Sequence, residues 1–299
     1  MDNFIIIITY LLIGIVVRRL PQFPDQTGNV LNLFIIYVSL PALVLLKIPE
    51  LTYSRDLLVP AVMPWLMLLL SAAAVLLLAK TYRWERETTG SLLLMVPLGN
   101  TSFLGIPMVK AFFNEQAVSY ALLYDQLGSF LALATYGSLI IATYGNSQEA
   151  PTVKSVLKKI VTFPPFLILL LALLLKPYQY PVVMTEILKS LSATLVPVVM
   201  IAVGWQLKLR LKQKIAFPLG IGLLLKLIVA PAAALMICKT LKLEGQAVQV
   251  SVFEAGMPPM VSAGALAILA NLSPQLTAAM VGLGIILSFL TLPVIFHFL

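Results

Sequence analysis

Three ionisable side chains stand deep inside apolar stretches of this chain: Asp125, Lys226 and Glu254. A charge at the centre of a membrane helix costs about 2.5–3.5 kcal/mol on the insertion scale, so each marks a cavity, an ion pair or a proton path. Glu254 opens the run Glu254-Ala255-Gly256-Met257-Pro258-Pro259, and a second run from Pro97 to Pro107 sets Gly99-Asn100-Thr101-Ser102 and Gly105 between prolines. Proline lacks the N–H that a helix needs and crowds the turn before it. Both runs therefore break a helix and leave backbone groups free at a depth where lipid cannot satisfy them. Matching breaks in two parts of a membrane protein point to a transport site. The chemistry on offer is recognition and proton movement. Glu254 can alternate between protonated and charged forms, while Lys226 can partner it or draw in an anion, a static Lys226–Glu254 bridge being the plainer alternative. Asp125 with Gln126 fits a cation site, a substrate vestibule or a side chain reaching for the near interface.

Other chemistries are excluded by composition. One histidine, His297, and one cysteine, Cys238, leave no His-rich metal site, no Ser/His/Asp triad, no HExxH motif and no internal disulfide. No G-x-x-x-x-G-K-[ST] loop is present, so the chain does not hydrolyse ATP itself. Among 299 residues 60% are apolar and 11% charged, with a mean hydropathy of +1.00. A soluble domain carries about a quarter charged residues, so a soluble enzyme or nucleic-acid binder is ruled out. The net charge of +8 is spread in short basic groups and reads as loop charge facing a cytoplasm. Neither a metal nor a cofactor is expected, and an enzyme is not; the coupling ions to consider are H+ and Na+.

The elements that must position these residues are membrane helices. Apolar runs bounded by charge or by Pro/Gly/Asn clusters give ten spans, at 3–17, 29–48, 57–79, 91–113, 117–143, 160–175, 187–207, 215–238, 246–270 and 276–298. The first is read as a retained helix, because Arg18-Arg19 follow it and no basic residue precedes it. Twelve of the 20 Lys and Arg residues follow odd-numbered spans, including Lys208, Arg210, Lys212 and Lys214, and seven flank even-numbered ones, among them Arg55. The positive-inside rule then places both termini outside. The expected fold is an all-α membrane protein of ten transmembrane helices, a first five-helix half over 1–143, a short cytoplasmic linker at 144–159 and a second half over 160–299. Five spans per half make an inverted repeat, with the broken spans four and nine in corresponding places. Ser39-Leu40-Pro41 in span two likewise answers Leu195-Val196-Pro197 in span seven. Trp65, Trp84, Trp205 and most tyrosines are expected at the membrane interfaces, and the Met63–Met67 stretch in packing.

Gly99-Asn100-Thr101-Ser102-Phe103-Leu104-Gly105-Ile106-Pro107 resembles the N-T-x-F-x-G-x-P segment of the auxin efflux carrier family, and Glu254 to Pro259, followed by Ala263 and Ala267, is similar to that family's second crossover. Pro197, Gly204 and Leu207 match its P-x-x-x-x-x-x-G-x-x-L element, Lys226-Leu227-Ile228-Val229-Ala230-Pro231 its K-L-x-x-x-P stretch, and Thr291-Leu292-Pro293 its close. On these residues the chain resembles a bacterial-type member, within the bile, arsenite and riboflavin transporter superfamily. The resemblance implies that helices four and nine cross at their breaks, that a scaffold domain forms homodimers, and that organic anions move by alternating access. Bacterial members carry malonate and other carboxylates, and plant members export auxin. The long loop of the plant carriers is missing here, only 16 residues separating spans five and six.

At such a crossing, the N-terminal ends of the second half-helices offer N–H groups and partial positive charge to a carboxylate. Asn100, Thr101 and Ser102 from the first break and Gly256, Met257, Pro258 and Pro259 from the second are the expected substrate-binding residues. Gly99, Gly105 and Pro107 shape the crossover, and Asp125, Gln126, Lys226 and Glu254 serve coupling or the vestibule. Asn100 can equally cap its half-helix. The expected function is secondary transport of a small organic anion across the cell membrane, most simply export. A sodium-coupled symporter of the bile-acid type, with sodium held by Asn100, Gln126 and Glu254, is the alternative, and an anion channel comes after it.

Overall fold

The computed structural model describes residues 2–51, 57–145, 152–176, 178–207 and 215–299. Arg55, the basic run Lys208, Arg210, Lys212 and Lys214, and the middle of the expected linker at 146–151 lie outside the described residues. Among the described residues the chain is helical, and its one β feature is an isolated antiparallel bridge. The helices are α1 (Asp2–Val17), α2 (Thr27–Lys47), α3 (Leu58–Tyr82), α4 (Arg86–Met95), α5 (Thr101–Phe112), α6 (Ala117–Tyr144), α7 (Val153–Val161), α8 (Pro164–Leu175), α9 (Val182–Gln206), α10 (Ala216–Thr240), α11 (Gln246–Ala255), α12 (Val261–Leu269) and α13 (Pro274–His297). Six of them, α2, α3, α6, α9, α10 and α13, are each long and apolar enough to cross a membrane.

Proline accompanies the change of pitch in several helices. Its ring crowds the carbonyl four residues back, which for Pro41, Pro107 and Pro231 belongs to Tyr37, Phe103 and Leu227. Each of these lies inside a wider π-helical turn, at Ile35–Ser39, Thr101–Gly105 and Leu225–Val229 respectively. Opening the turn to i→i+5 bonding makes room for the ring without ending the helix.

Two compact units share the chain, and each draws on both halves of it. The first comprises Met1–Ser54, Ser102–Leu122 and Ile160–Leu207. Here α1 and the end of α9 touch backbone to backbone: a Cβ on Gly14 would lie 2.2 Å from the Ile201 carbonyl oxygen, and one on Gly204 2.1 Å from that of Leu11. Small residues allow such approach in lipid, where packing replaces the hydrophobic effect as the force between helices. The Ser39 and Thr194 hydroxyls, each just ahead of its proline, are hydrogen-bonded at 2.7 Å. Trp205, next to the end of α9, is buried with its ring edge against Gly28. An aromatic ring fits an inter-helical gap as readily as a headgroup layer, and residue type alone does not separate the two.

Charge closes one end of this unit. The Lys47 ammonium meets Glu50 at 3.2 Å and Glu115 at 3.5 Å, and Lys110 meets Glu115 at 2.7 Å, so the turn between α5 and α6 is tied to the end of α2. Partial burial works to raise the Glu115 carboxyl, and the ammonium groups of Lys110 and Lys47 outweigh it, holding the group below the usual carboxylate range.

The second unit comprises Arg55–Thr101, Leu123–Lys159 and Lys208–Leu299. Its centre is the pair of half-helices that precede the breaks. From Thr89 to Asn100 and from Ala247 to Met260 nearly every residue is buried, whereas α3, α10 and α13 expose large apolar side chains such as Leu69, Leu77, Met236 and Leu290. Polar breaks placed in lipid must be wrapped, and the long apolar helices provide the wrapping. Within it the Ser91 and Thr277 hydroxyls bond at 2.7 Å, and the Tyr136 hydroxyl donates to the Leu93 carbonyl at 2.8 Å. Met63 and Met67 are buried against α10 and α11, in packing as expected.

Candidate functional site: two paired helix breaks

The two breaks bond to each other. Gly99 and Pro259 form the antiparallel bridge, the Asn100 N–H donates to the Pro258 carbonyl at 2.8 Å, and the Met260 N–H donates to the Leu98 carbonyl at 3.0 Å. Prolines at 97, 258 and 259 have no N–H, so few donors remain in either break and two of them are used here. Backbone expected to stand free for a ligand is thus partly consumed by the pairing. Glycine permits the approach: a Cβ on Gly99 would meet the Lys226 Nζ at 3.1 Å, and one on Gly284 would meet the Pro259 ring at 2.6 Å. Gly256 turns the chain out of α11, its N–H donating to the Phe253 carbonyl at 3.1 Å, while the Met257 N–H donates to that of Glu254 at 3.1 Å.

Side chains from α6 and α10 complete the cluster. Thr101 Oγ1 donates to Asp125 at 2.6 Å, and the Gln126 amide donates to the other carboxylate oxygen at 2.7 Å. Asp125 is therefore buried at 1% exposure and does not reach for an interface. Both Asp125 and Gln126 lie in a π-helical segment, Tyr124–Ser129, and Lys226 lies in another, Leu225–Val229. Single wide turns of this kind re-aim side chains at functional sites. Gly128 lets the first of them approach α3, since a Cβ there would fall 2.1 Å from Pro64 Cγ.

Lys226, 4% exposed, donates to the carbonyl of Ala255, the last residue of α11, at 3.1 Å. Among the described residues it makes no ion pair with Glu254, and the static bridge considered from sequence is not formed. Glu254 is fully buried and neither of its carboxyl oxygens has a hydrogen-bond partner. The Asn100 amide nitrogen and the Gln126 amide oxygen are also buried without partners. Orphaned polar atoms are few in native proteins and costly, so four beside one pair of breaks mark a buried polar site that a water, an ion or a ligand group would satisfy. A cavity of about 10 Å³, the space of about one water, lies among Gly99, Thr101, Tyr124, Ser129, Lys226 and Glu254.

The second unit thus gathers Gly99, Asn100, Thr101, Asp125, Gln126, Lys226, Glu254, Gly256, Met257, Pro258 and Pro259. Ser102, Gly105 and Pro107 continue along α5 in the first unit. Sequence reasoning missed Tyr124, which is buried beside the cavity and departs from the interfacial place expected of most tyrosines. Its adjacency to Asp125 and Gln126 was the available signal.

Buried polar breaks inside an apolar helical shell define a membrane transporter, and the comparisons agree. The chain belongs to the auxin efflux carrier family, its residues 1–296 matching the family described as "Membrane transport protein". It is 27% identical over 288 residues to an uncharacterized transporter of Methanocaldococcus jannaschii, covering 93% of this chain and 92% of that one. An uncharacterized transporter of Methanothermobacter thermautotrophicus is 26% identical over 295 residues, covering 98% and 96%. Both relatives are archaeal, so the likeness reaches beyond the bacterial type suggested by the motifs. The protein is a membrane transporter and not an enzyme.

Proposed function

We propose that the chain is a secondary carrier that moves a small organic anion, a carboxylate or an auxin-like acid, by alternating access at the paired breaks. The observation that carries this reading is the partnerless Asn100 amide donor, 2% exposed, in the same buried cluster as the Lys226 ammonium. A carboxylate supplies the acceptor the amide lacks and the negative charge the ammonium lacks, and charge-assisted bonds of that kind are the strong ones. A cavity of about 10 Å³ is too small for even a short dicarboxylate. Binding therefore requires the elements around the breaks to part, which is the motion an alternating-access carrier needs.

Ten spans in two inverted halves are the architecture proposed for it. Helical segments underlie all ten apolar runs, with Phe4–Val17, Thr101–Phe112 and Pro164–Leu175 among the shorter apolar ones. Irregularities of the two halves also meet in pairs: Ser39, two residues ahead of Pro41, with Thr194, three ahead of Pro197, and Leu98–Asn100 with Pro258–Met260. A two-fold axis in the membrane plane relating the halves would bring equivalent points together in this way. Helices four and nine then correspond to α4–α5 and α11–α12, crossing at their breaks. With both termini outside, the carrier exports its substrate across the inner or plasma membrane as a homodimer. Protons couple through Glu254, whose charged or ionisable neighbours are Tyr124 and Asp125 on α6 and Lys226 on α10.

Thermal melting of the purified protein against a panel of carboxylates tests the site. A ligand that binds only the folded protein at 100 times its Kd adds about 2.7 kcal/mol of stability. One acid is expected to raise the melting temperature of the wild type and to leave Asn100→Ala unchanged. Equal shifts in both proteins would remove Asn100 from the site.

A further inference from the structure

The later part of the expected cytoplasmic linker is helical, as α7 (Val153–Val161). Its start is capped: the Ser155 N–H donates to Thr152 Oγ1 at 3.2 Å, and the Ser155 hydroxyl donates to the Thr152 carbonyl at 2.8 Å. Its end is set by Phe163, held extended ahead of Pro164, where α8 begins. Helical spacing sorts the nine residues cleanly, with Val153, Val156, Leu157, Ile160 and Val161 on one half and Lys154, Ser155, Lys158 and Lys159 on the other. Leu157 and Val161, one turn apart on the apolar half, are 54% and 55% exposed, and Lys154 and Lys158 on the polar half are exposed as well.

Isolated helices under about 12–15 residues are marginal in water even when rich in alanine. This one has nine residues, four of them β-branched, so it needs a surface to form on. A bilayer is the surface at hand. Before it, α6 is long and apolar enough to cross a membrane, and after it only Thr162 and Phe163 separate Val161 from the apolar helix α8. Three Cα steps reach about 11 Å at most, which keeps the end of α7 beside the start of α8.

We infer that α7 is a membrane-surface helix, its apolar half lying in the headgroup region of the cytoplasmic leaflet and its lysine-bearing half binding the headgroups of anionic phospholipids. Burial of the apolar half supplies what so short a helix lacks in water, and the absence of any acidic residue from α7 leaves its charge wholly complementary to phosphate. A lysine near an anionic surface favours it about fivefold, and a pair of them about 25-fold. No reading of the substrate enters. The inference rests on the proposed reading of α6 and α8 as consecutive spans with the cytoplasm between them.

The test puts a polarity-sensitive fluorophore on single cysteines of the full-length protein in a Cys238→Ala background, with Leu157→Cys on the apolar half and Ser155→Cys on the polar half. The labelled chains are reconstituted into vesicles of phosphatidylcholine and phosphatidylglycerol at two to one, and of phosphatidylcholine alone, each with and without brominated acyl chains. In the mixed vesicles the Leu157 probe is expected to emit as from an apolar medium and to be quenched by the bromine, and the Ser155 probe to do neither. That quenching is expected to weaken in phosphatidylcholine alone, in high salt, where screening is strong, and in the double variant Lys154→Gln with Lys158→Gln, which shifts the balance towards water about 25-fold. A Leu157 probe that stays in water in the mixed vesicles would overturn the inference. So would an apolar emission that bromine leaves untouched, which marks a protein contact, or quenching that ignores phosphatidylglycerol, salt and the double variant. Equal quenching of both probes would bury the whole segment in the bilayer and overturn the span reading with it. Val161→Cys repeats the Leu157 measurement from the next turn, so a single probe that disturbs the helix does not decide the result. A chain that carries no carboxylate leaves all of these results standing.

Discussion

Asn100 and Glu254 are buried polar residues whose side chains keep atoms without partners, and that makes their substitutions informative. Truncating Asn100 to alanine removes an amide donor that bonds to nothing in the resting protein, so stability should change by no more than about 1 kcal/mol. A charge-assisted hydrogen bond to the substrate is worth about 1.5–3 kcal/mol, and uptake should fall about tenfold or more. Melting and uptake measured on one preparation separate the two effects, and wild-type uptake would refute the assignment. Glu254→Gln keeps the shape and removes the exchangeable proton, so substrate should still bind while the dependence of transport on a proton gradient disappears. An unchanged pH profile would take Glu254 out of the coupling step. Thr101→Val is the structural counterpart: it deletes the 2.6 Å bond to a buried Asp125 and should cost about 1–3 kcal/mol in a melting or denaturation series. Asp125, Lys226 and Glu254 were legible from sequence because charge in an apolar run has few reasons to be there. Their pairing was not, because the ammonium meets a backbone carbonyl, a group that every residue carries.

At the scale of elements, lipid made the helices legible: only a run of about 20 apolar residues spans it, and the residues that interrupt such runs mark the ends. The breaks were legible as well, from clustered prolines. That they would bond to one another was not, since every backbone offers the same donor and acceptor and only the tertiary arrangement chooses between them. The π-helical turns at Ile35–Ser39, Thr101–Gly105 and Leu225–Val229 each hold a carbonyl crowded by a proline four residues on, yet Pro64 and Pro293 stand inside regular helices and the π turn at Tyr124–Ser129 has no such proline, so proline alone does not place these turns. Helix contacts give a paired prediction. Gly128→Ala drives a Cβ to 2.1 Å from the Pro64 ring, and a ring fixed to its own backbone cannot swing aside, so α3 and α6 must part at about 1–3 kcal/mol. Gly220→Ala in α10 meets nothing within 4 Å and should be neutral or stabilising by up to about 1 kcal/mol through helix propensity. Denaturation of the two variants beside the wild type checks both, and equal behaviour would contradict the close approach of α3 to α6.

For the whole molecule, stability depends on pH where the charged network closes the first unit. Glu115 is held below the ordinary carboxylate range, so the folded state binds its proton less readily than the unfolded chain. Its contribution is present above the unfolded value of about 4.3 and is lost as the pH falls through the lower folded value. More than half of the Glu115 side chain is exposed, which keeps the effect small. Glu115→Gln should flatten that acidic portion of the melting profile and leave the neutral portion nearly unchanged. Composition and hydropathy made the membrane class readable over the full length, because no water-facing surface can be built from 11% charged residues. The division into two compact units was not readable, since each is assembled from three separate stretches of chain and three of the five exchanges fall inside helices, between Thr101 and Ser102 in α5, between Leu122 and Leu123 in α6 and between Lys159 and Ile160 in α7. The central claim, that an organic anion is carried at the paired breaks, is tested most directly by uptake into proteoliposomes of purified protein. Malonate, indole-3-acetate and a set of related acids are offered with and without imposed proton and sodium gradients. Saturable uptake of at least one acid, driven by protons, indifferent to sodium and absent from Asn100→Ala, is the result predicted. No uptake of any carboxylate by folded, reconstituted protein would contradict the claim and turn attention to neutral and cationic substrates.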